Sequence, residues 1–263
     1  MMKEERKKAR EERYFKTPVF ERFEVGLFLS LIGGFLDAYT FVARGGVFAN
    51  AQTGNIILFA LNLCQGNFFS ALKYVVPIAF FVVGVIISEF ILSRQIKKGA
   101  KLANYAALLC IEAAVLVGVA FIPFGNDWDM LANATVSFVA SVQYSTFRKM
   151  ENVPFATSFC TGNLRTATQY FYRGCAEKDV EKLFVGFKLA ANIVCFAGGV
   201  AAGYFVTRAF SFSPLAAGGL LLLLCGYLAA AKSIKYKKLA KKQASEAEKS
   251  QTEAQTVVKT PVS

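Results

Sequence analysis

Residues 45–55 read GGVFANAQTGN, and residues 154–163 read PFATSFCTGN. Both phrases are small, polar and glycine-bearing, and both close on Thr-Gly-Asn in a chain that is otherwise strongly apolar. Thr and Asn are good helix N-caps, and Gly accepts the backbone angles of a sharp turn into a helix. TGN followed by IILFALNL and TGN followed by LRTATQYF therefore both predict helix starts preceded by non-helical chain. What surrounds those starts decides the fold.

The chain has 263 residues, 55% hydrophobic and 18% charged, with a mean hydropathy of +0.42. Soluble domains carry about 25% charged residues. Here the charges are bunched, and the stretches between them run to about 20 nearly uncharged residues, enough to cross a hydrocarbon core of about 30 Å as helix. Six runs predict full spans: 25–43, 74–92, 104–123, 130–147, 184–207 and 214–231. Two segments are marginal, 48–63 and 155–172, and each contains one TGN. The second holds Arg165, Thr166, Thr168 and Gln169 and is too polar to face lipid across a whole bilayer.

Basic residues decide between six spans and eight, because cytoplasmic loops are rich in them. Residues 1–24 hold eight Lys and Arg and residues 232–263 hold eight, which places both ends in the cytoplasm. With six spans the inner loops hold Arg94, Lys97, Lys98, Lys101, Arg148, Lys149, Arg165, Arg173, Lys178 and Lys182, and the outer loops hold Arg44, Lys73 and Arg208. With eight, RQIKKGAK would lie outside and FGNDWD inside. Six is the better assignment. The expected organisation is a basic cytoplasmic arm over 1–24, a transmembrane domain over 25–232, and a basic, then disordered, cytoplasmic tail over 233–263. The net charge of +12 is explained by this inner bias, so the lipid bilayer is the expected partner and nucleic acid is not.

Aligning Thr53 with Thr161 gives two halves, about 25–123 and 130–231. Each reads as span, TGN segment, span, turn, span. Three spans per half put the halves in opposite orientations. The expected fold is an all-α integral membrane protein, six transmembrane helices in a 3+3 inverted repeat, each half with a re-entrant or broken helix started by TGN. Non-helical backbone at membrane depth is tolerated only where it packs in protein or lines water. Two helix starts meeting near the midplane would offer N–H groups to an anionic or carbonyl-bearing group. The plainer alternative is that each TGN caps a re-entrant helix and binds nothing.

Asp37 lies in GGFLDAYTF, about two turns from the outer end of the first span. An acid at that depth points to an ion or solute path, or else to a structural pair with Arg44. Gln143 precedes Thr161 much as Asp37 precedes Thr53. Glu112 and Lys188 lie inside spans and are candidates for a structural pair or a relay, and Arg148 joins them at a span end. Gly198, Gly199 and Gly203 have the small-residue spacing of close helix packing. With no histidine, no CxxC spacing among the six cysteines and no nucleophile–base pair, the sequence points to no metal, no cofactor and no catalytic residues.

GGFLDAYTFVARGGVFANAQTGN (33–55) and VQYSTFRKMENVPFATSFCTGNL (142–164) together resemble the YoaK-like family of bacterial membrane proteins, a domain of unknown function. Its pattern has an LDA-type motif, F-x-A-N-x-T-G-N, a Q-N-A-type motif, an arginine and A-T-x-x-x-T-G-T. The matching positions are Asp37, Phe48, Asn50, Thr53, Gly54 and Asn55, then Gln143, Arg148, Ala156, Thr157, Thr161 and Gly162. Tyr144 stands where the family often has Asn, and Asn163 where it often has Thr. The resemblance covers about residues 22–235 and implies a multi-pass protein of the bacterial cytoplasmic membrane, but no activity.

The expected function is secondary transport of a small polar or anionic solute, coupled to a proton or cation at Asp37. Asn50, Thr53, Asn55, Gln143, Thr161 and Asn163 complete the expected site, and the resemblance adds Gly54, Thr157 and Gly162. A channel-like pore and a non-transporting scaffold or sensor are the alternatives, an enzyme is not expected, and self-association is left open.

Overall fold

The computed structural model describes residues 17–98, 102–151, 153–155, 160–210, 212–231 and 233. Expectations for residues 1–16 and for the tail beyond 233 lie outside these. The described chain forms eight helices: α1 Phe23–Ala43, α2 Gln52–Cys64, α3 Phe68–Lys98, α4 Leu102–Ala120, α5 Asn126–Thr146, α6 Cys160–Ala176, α7 Val180–Ala209 and α8 Pro214–Ala231. A two-residue hairpin, β1 Lys149–Met150 with β2 Val153–Pro154, separates α5 from α6. The end of the expected arm is not free: Phe20 stacks on Tyr105 with ring centroids 3.8 Å apart, and Arg22 is buried.

Among the described residues, five helices are long and apolar enough to cross a membrane: α1, α3, α4, α7 and α8. These point to a multi-pass membrane protein. The sixth expected span, α5, has the length but not the apolarity. It carries Asn133, Ser137, Ser141, Gln143 and Ser145, all buried. A helix surrounded by other helices meets protein instead of lipid, so polar side chains can be satisfied there. Asn133 Nδ2 donates to the Arg44 carbonyl at 2.7 Å, while Asn133 Oδ1 and Ser137 Oγ are buried without a partner. α3 is the opposite case, with Phe80, Val82, Val83, Ile86 and Phe90 outward. Its most apolar window is only 17% buried against 72% for α1, so α1 is central and α3 peripheral.

The packing partners follow a regular exchange. α1 packs on α7 and α5 packs on α3; α2 lies on α3 and α6 lies on α7. The first helix of each half therefore rests on the third helix of the other. Both crossings are close enough to need small residues. A Cβ on Gly199 would stand 2.0 Å from the Leu31 carbonyl oxygen, and one on Gly34 would stand 2.1 Å from that of Phe196. At the other crossing a Cβ on Gly84 would stand 1.9 Å from Ser141 Oγ. α4 and α8 close the bundle through Leu109, Leu116, Leu221 and Leu228, which share one core with α1.

Candidate functional site

The chain leaves α1 at Ala43 and turns through Gly45 and Gly46, at φ +83° and +74°, backbone angles that a side chain would strain. It then runs back along α1. That return brings the Asn50 N–H to Asp37 Oδ1 at 2.7 Å, while Asn50 Nδ2 donates to the Gly33 carbonyl at 3.1 Å. Asp37 and Asn50 are both buried. The other carboxylate oxygen, Asp37 Oδ2, is buried without a hydrogen-bond partner. Asp37 borders a cavity of about 380 Å³ whose walls include Phe41, Phe48, Phe196, Val200 and Tyr204. One oxygen is thus fixed by the Asn50 N–H, the backbone N–H groups of Ala49 and Ala51 also act on the carboxylate, and Oδ2 makes no full hydrogen bond of its own.

α2 starts at Gln52, so the first TGN forms its first turn. Its N-cap is Ala51, with no side-chain cap bond, so the expected Thr or Asn cap is absent here. Asn55 instead grips the incoming chain: Oδ1 accepts the Phe48 N–H at 2.9 Å, and Nδ2 donates to the Phe48 carbonyl at 2.8 Å. Gly54 makes room for the Phe48 ring, which would lie 2.8 Å from a Cβ there. Thr53 is exposed. Asn55 and Gly54 therefore shape the Asp37 cavity through Phe48.

The second TGN likewise occupies the first turn of its helix, α6, which begins at Cys160. Thr161 is exposed and Asn163 is buried; Thr157 lies outside the described residues. Gly162 and Asn163 line a cavity of about 480 Å³ together with Glu89, Tyr144, Ser145 and Arg148. Arg148 is ion-paired with Glu89.

The remaining candidates sort into separate pairs. Gln143 donates to Glu112 Oε2 at 3.3 Å, and Lys188 pairs with Glu151 of the hairpin turn. Glu112 and Lys188 therefore do not pair with each other. Nor does Arg44 serve Asp37. Buried beneath Phe124, it donates to Asp129 Oδ1 at 2.9 Å, to Tyr39 Oη at 2.7 Å and to the carbonyls of Ile122 and Pro123. This arginine fastens the end of α1 to the chain entering α5. Among the described residues no three His, Cys, Asp or Glu side chains gather as a metal site.

A family model described as "Protein of unknown function (DUF1275)" matches residues 25–228. No curated protein matches the chain, and no solved structure does.

Proposed function

The chain belongs to the DUF1275 family, and on that premise we propose that it is a secondary transporter of a small polar or anionic solute, coupled to a proton or cation at Asp37. The observation that carries this is the unequal state of the two Asp37 oxygens. A buried acid kept only for structure would have both engaged, since an unmet buried polar atom costs about 1–3 kcal/mol. A group that exchanges a proton or cation needs one oxygen held and the other available. Here Asn50 holds Oδ1, while Oδ2 is buried without a full hydrogen bond in a residue that borders the cavity.

The solute end is best assigned to the cavity of Gly162, Asn163, Tyr144 and Arg148. Arg148 lines it in an ion pair with Glu89, so a carboxylate or phosphate would bind there by taking over the guanidinium from Glu89. The exchanged packing of α1 on α7 and α5 on α3 supports an inverted repeat of 25–123 and 130–231, with α5 as its sixth span. The basic inner loops support a bacterial cytoplasmic membrane protein with both ends inside.

The test is transport by the purified full-length protein in proteoliposomes, offered a mixture of isotope-labelled polar metabolites under an imposed pH or sodium gradient. We expect saturable accumulation of at least one solute, lost in Asp37→Asn. Accumulation by Asp37→Asn equal to wild type would remove Asp37 from the mechanism. Flux that rises linearly with the gradient and never saturates would make the protein a pore.

A further inference from the structure

α4 carries a second buried acid whose surroundings differ from those of Asp37. Glu112 is 2% exposed. Its Oε2 accepts from Gln143 on α5, while its Oε1 is buried with no hydrogen-bond partner. Beside it lies a cavity of about 390 Å³ between α3, α4 and α5, walled by Ile87, Ile91, Leu108, Ile111, Val115 and Phe138. Among the described residues no lysine or arginine lines this cavity. Arg148 and Lys188, the basic residues that the sequence offered as relay partners, are paired with Glu89 and Glu151 instead. A carboxyl oxygen against apolar walls is costly until a donor or a positive charge meets it, and the protein supplies neither to Oε1.

We propose that this cavity binds a lipophilic primary amine, its ammonium on Glu112 Oε1 and its apolar body against α3 and α5. The Gln143 amide is the positioning group, holding Oε2 so that Oε1 faces the ligand. Depth excludes a lipid headgroup as the source of the amine. Glu112 stands ten residues beyond Leu102, the start of α4, or about 15 Å along the helix axis, near the middle of a hydrocarbon core of about 30 Å. Headgroup ammoniums sit at the surface, so the ligand is a free amphipathic amine. Of the residues expected at the solute site only Gln143 takes part, through its bond to Glu112, and the site stands independently of the transport proposal.

The experiment is equilibrium dialysis of three probes sharing one ring system against the full-length protein in phosphatidylcholine nanodiscs, with empty nanodiscs subtracted. The probes are 1-naphthylmethylamine, 1-naphthalenemethanol and 1-naphthoate. We expect saturable binding of the amine, at least about tenfold weaker binding of the alcohol, and none of the carboxylate, as loss of a charge-assisted hydrogen bond implies. Glu112→Gln should weaken the amine at least about tenfold. Ala107→Phe, which narrows the cavity from an exposed wall position and leaves the acid in place, should abolish saturation. Equal binding of amine and alcohol would make this a slot for lipid chains and overturn the proposal. So would amine binding unchanged in Glu112→Gln, or no saturable amine binding. If Glu112→Gln fails to fold, the probe comparison on the wild type and the Ala107→Phe result decide. No gradient is present, so transport lost in Asp37→Asn and binding lost in Glu112→Gln are separate results.

Discussion

The two TGN turns are spelled alike and used differently. In α2 the glycine is pressed against the Phe48 ring, and the asparagine binds both backbone groups of Phe48. In α6 the glycine has nothing within 4 Å of where a Cβ would stand, and it lines a cavity with Arg148 and Asn163. The first turn is closed on its own incoming chain and holds the wall beside an acid. The second is open. Three identical letters thus fix a helix start in both halves, while the chain packed in front of each start decides whether it braces a site or faces one.

The halves also differ at their crossings, and there the largest effect is expected. At Gly199 the obstacle is the Leu31 backbone, so Gly199→Ala must push α1 and α7 apart; overpacking of this kind costs about 1–3 kcal/mol or more. At Gly84 the nearest obstacle is the Ser141 hydroxyl, which can rotate at the loss of its 2.7 Å bond to the Phe138 carbonyl. Thermal unfolding of the purified protein should therefore show Gly199→Ala losing clearly more stability than Gly84→Ala. Equal losses would mean that the two crossings are equally rigid.

Within the TGN turns the contrast is one of sign. Gly54→Ala collides with Phe48 and should destabilise by about 1 kcal/mol or more. Gly162→Ala replaces a helical glycine facing open space, so stability should hold or rise by about 0.5–1 kcal/mol. Solute transport should nonetheless fall in Gly162→Ala, because the new methyl enters the cavity. Equal destabilisation of both variants would dissolve the distinction between a closed and an open turn.

A smaller perturbation tests the relation between the halves. Thr53 and Thr161 are both exposed, so cysteine there, in a chain cleared of its own thiols, should change stability by no more than about 0.5 kcal/mol. Membrane-impermeant thiol reagents should label the two positions from opposite faces. Labelling of both from one face would break the inverted repeat.

Much of this architecture was legible because lipid imposes a coarse rule on sequence. Apolar runs located α1, α3, α4, α7 and α8, and the first TGN phrase falls in the opening turn of α2. Lengths were less legible. The run at 74–92 lies inside a helix reaching from Phe68 to Lys98, because mixed helix ends carry no apolar signature. The run at 130–147 was expected as a sixth span, yet α5 is too polar to count as one by composition, and its polar residues suit an interior helix. Asp37 with Asn50 was within reach of sequence, since one short turn joins them. Glu112 with Gln143, Arg44 with Asp129 and Lys188 with Glu151 were not, because each pair joins elements at least 31 residues apart. The hairpin at 149–154 was missed because two-residue strands leave no alternation to read.

The most direct measurement of the central claim compares wild type, Asp37→Asn and Asp37→Glu in proteoliposomes under the same imposed gradient. Asp37→Asn keeps an oxygen for the Asn50 N–H and removes the exchangeable charge; Asp37→Glu keeps the charge and displaces it. Wild type should accumulate solute above its external concentration. Asp37→Asn should stop at equilibrium or below, and Asp37→Glu should retain some accumulation. Accumulation by Asp37→Asn at the wild-type level, with the protein folded, would contradict coupling at Asp37.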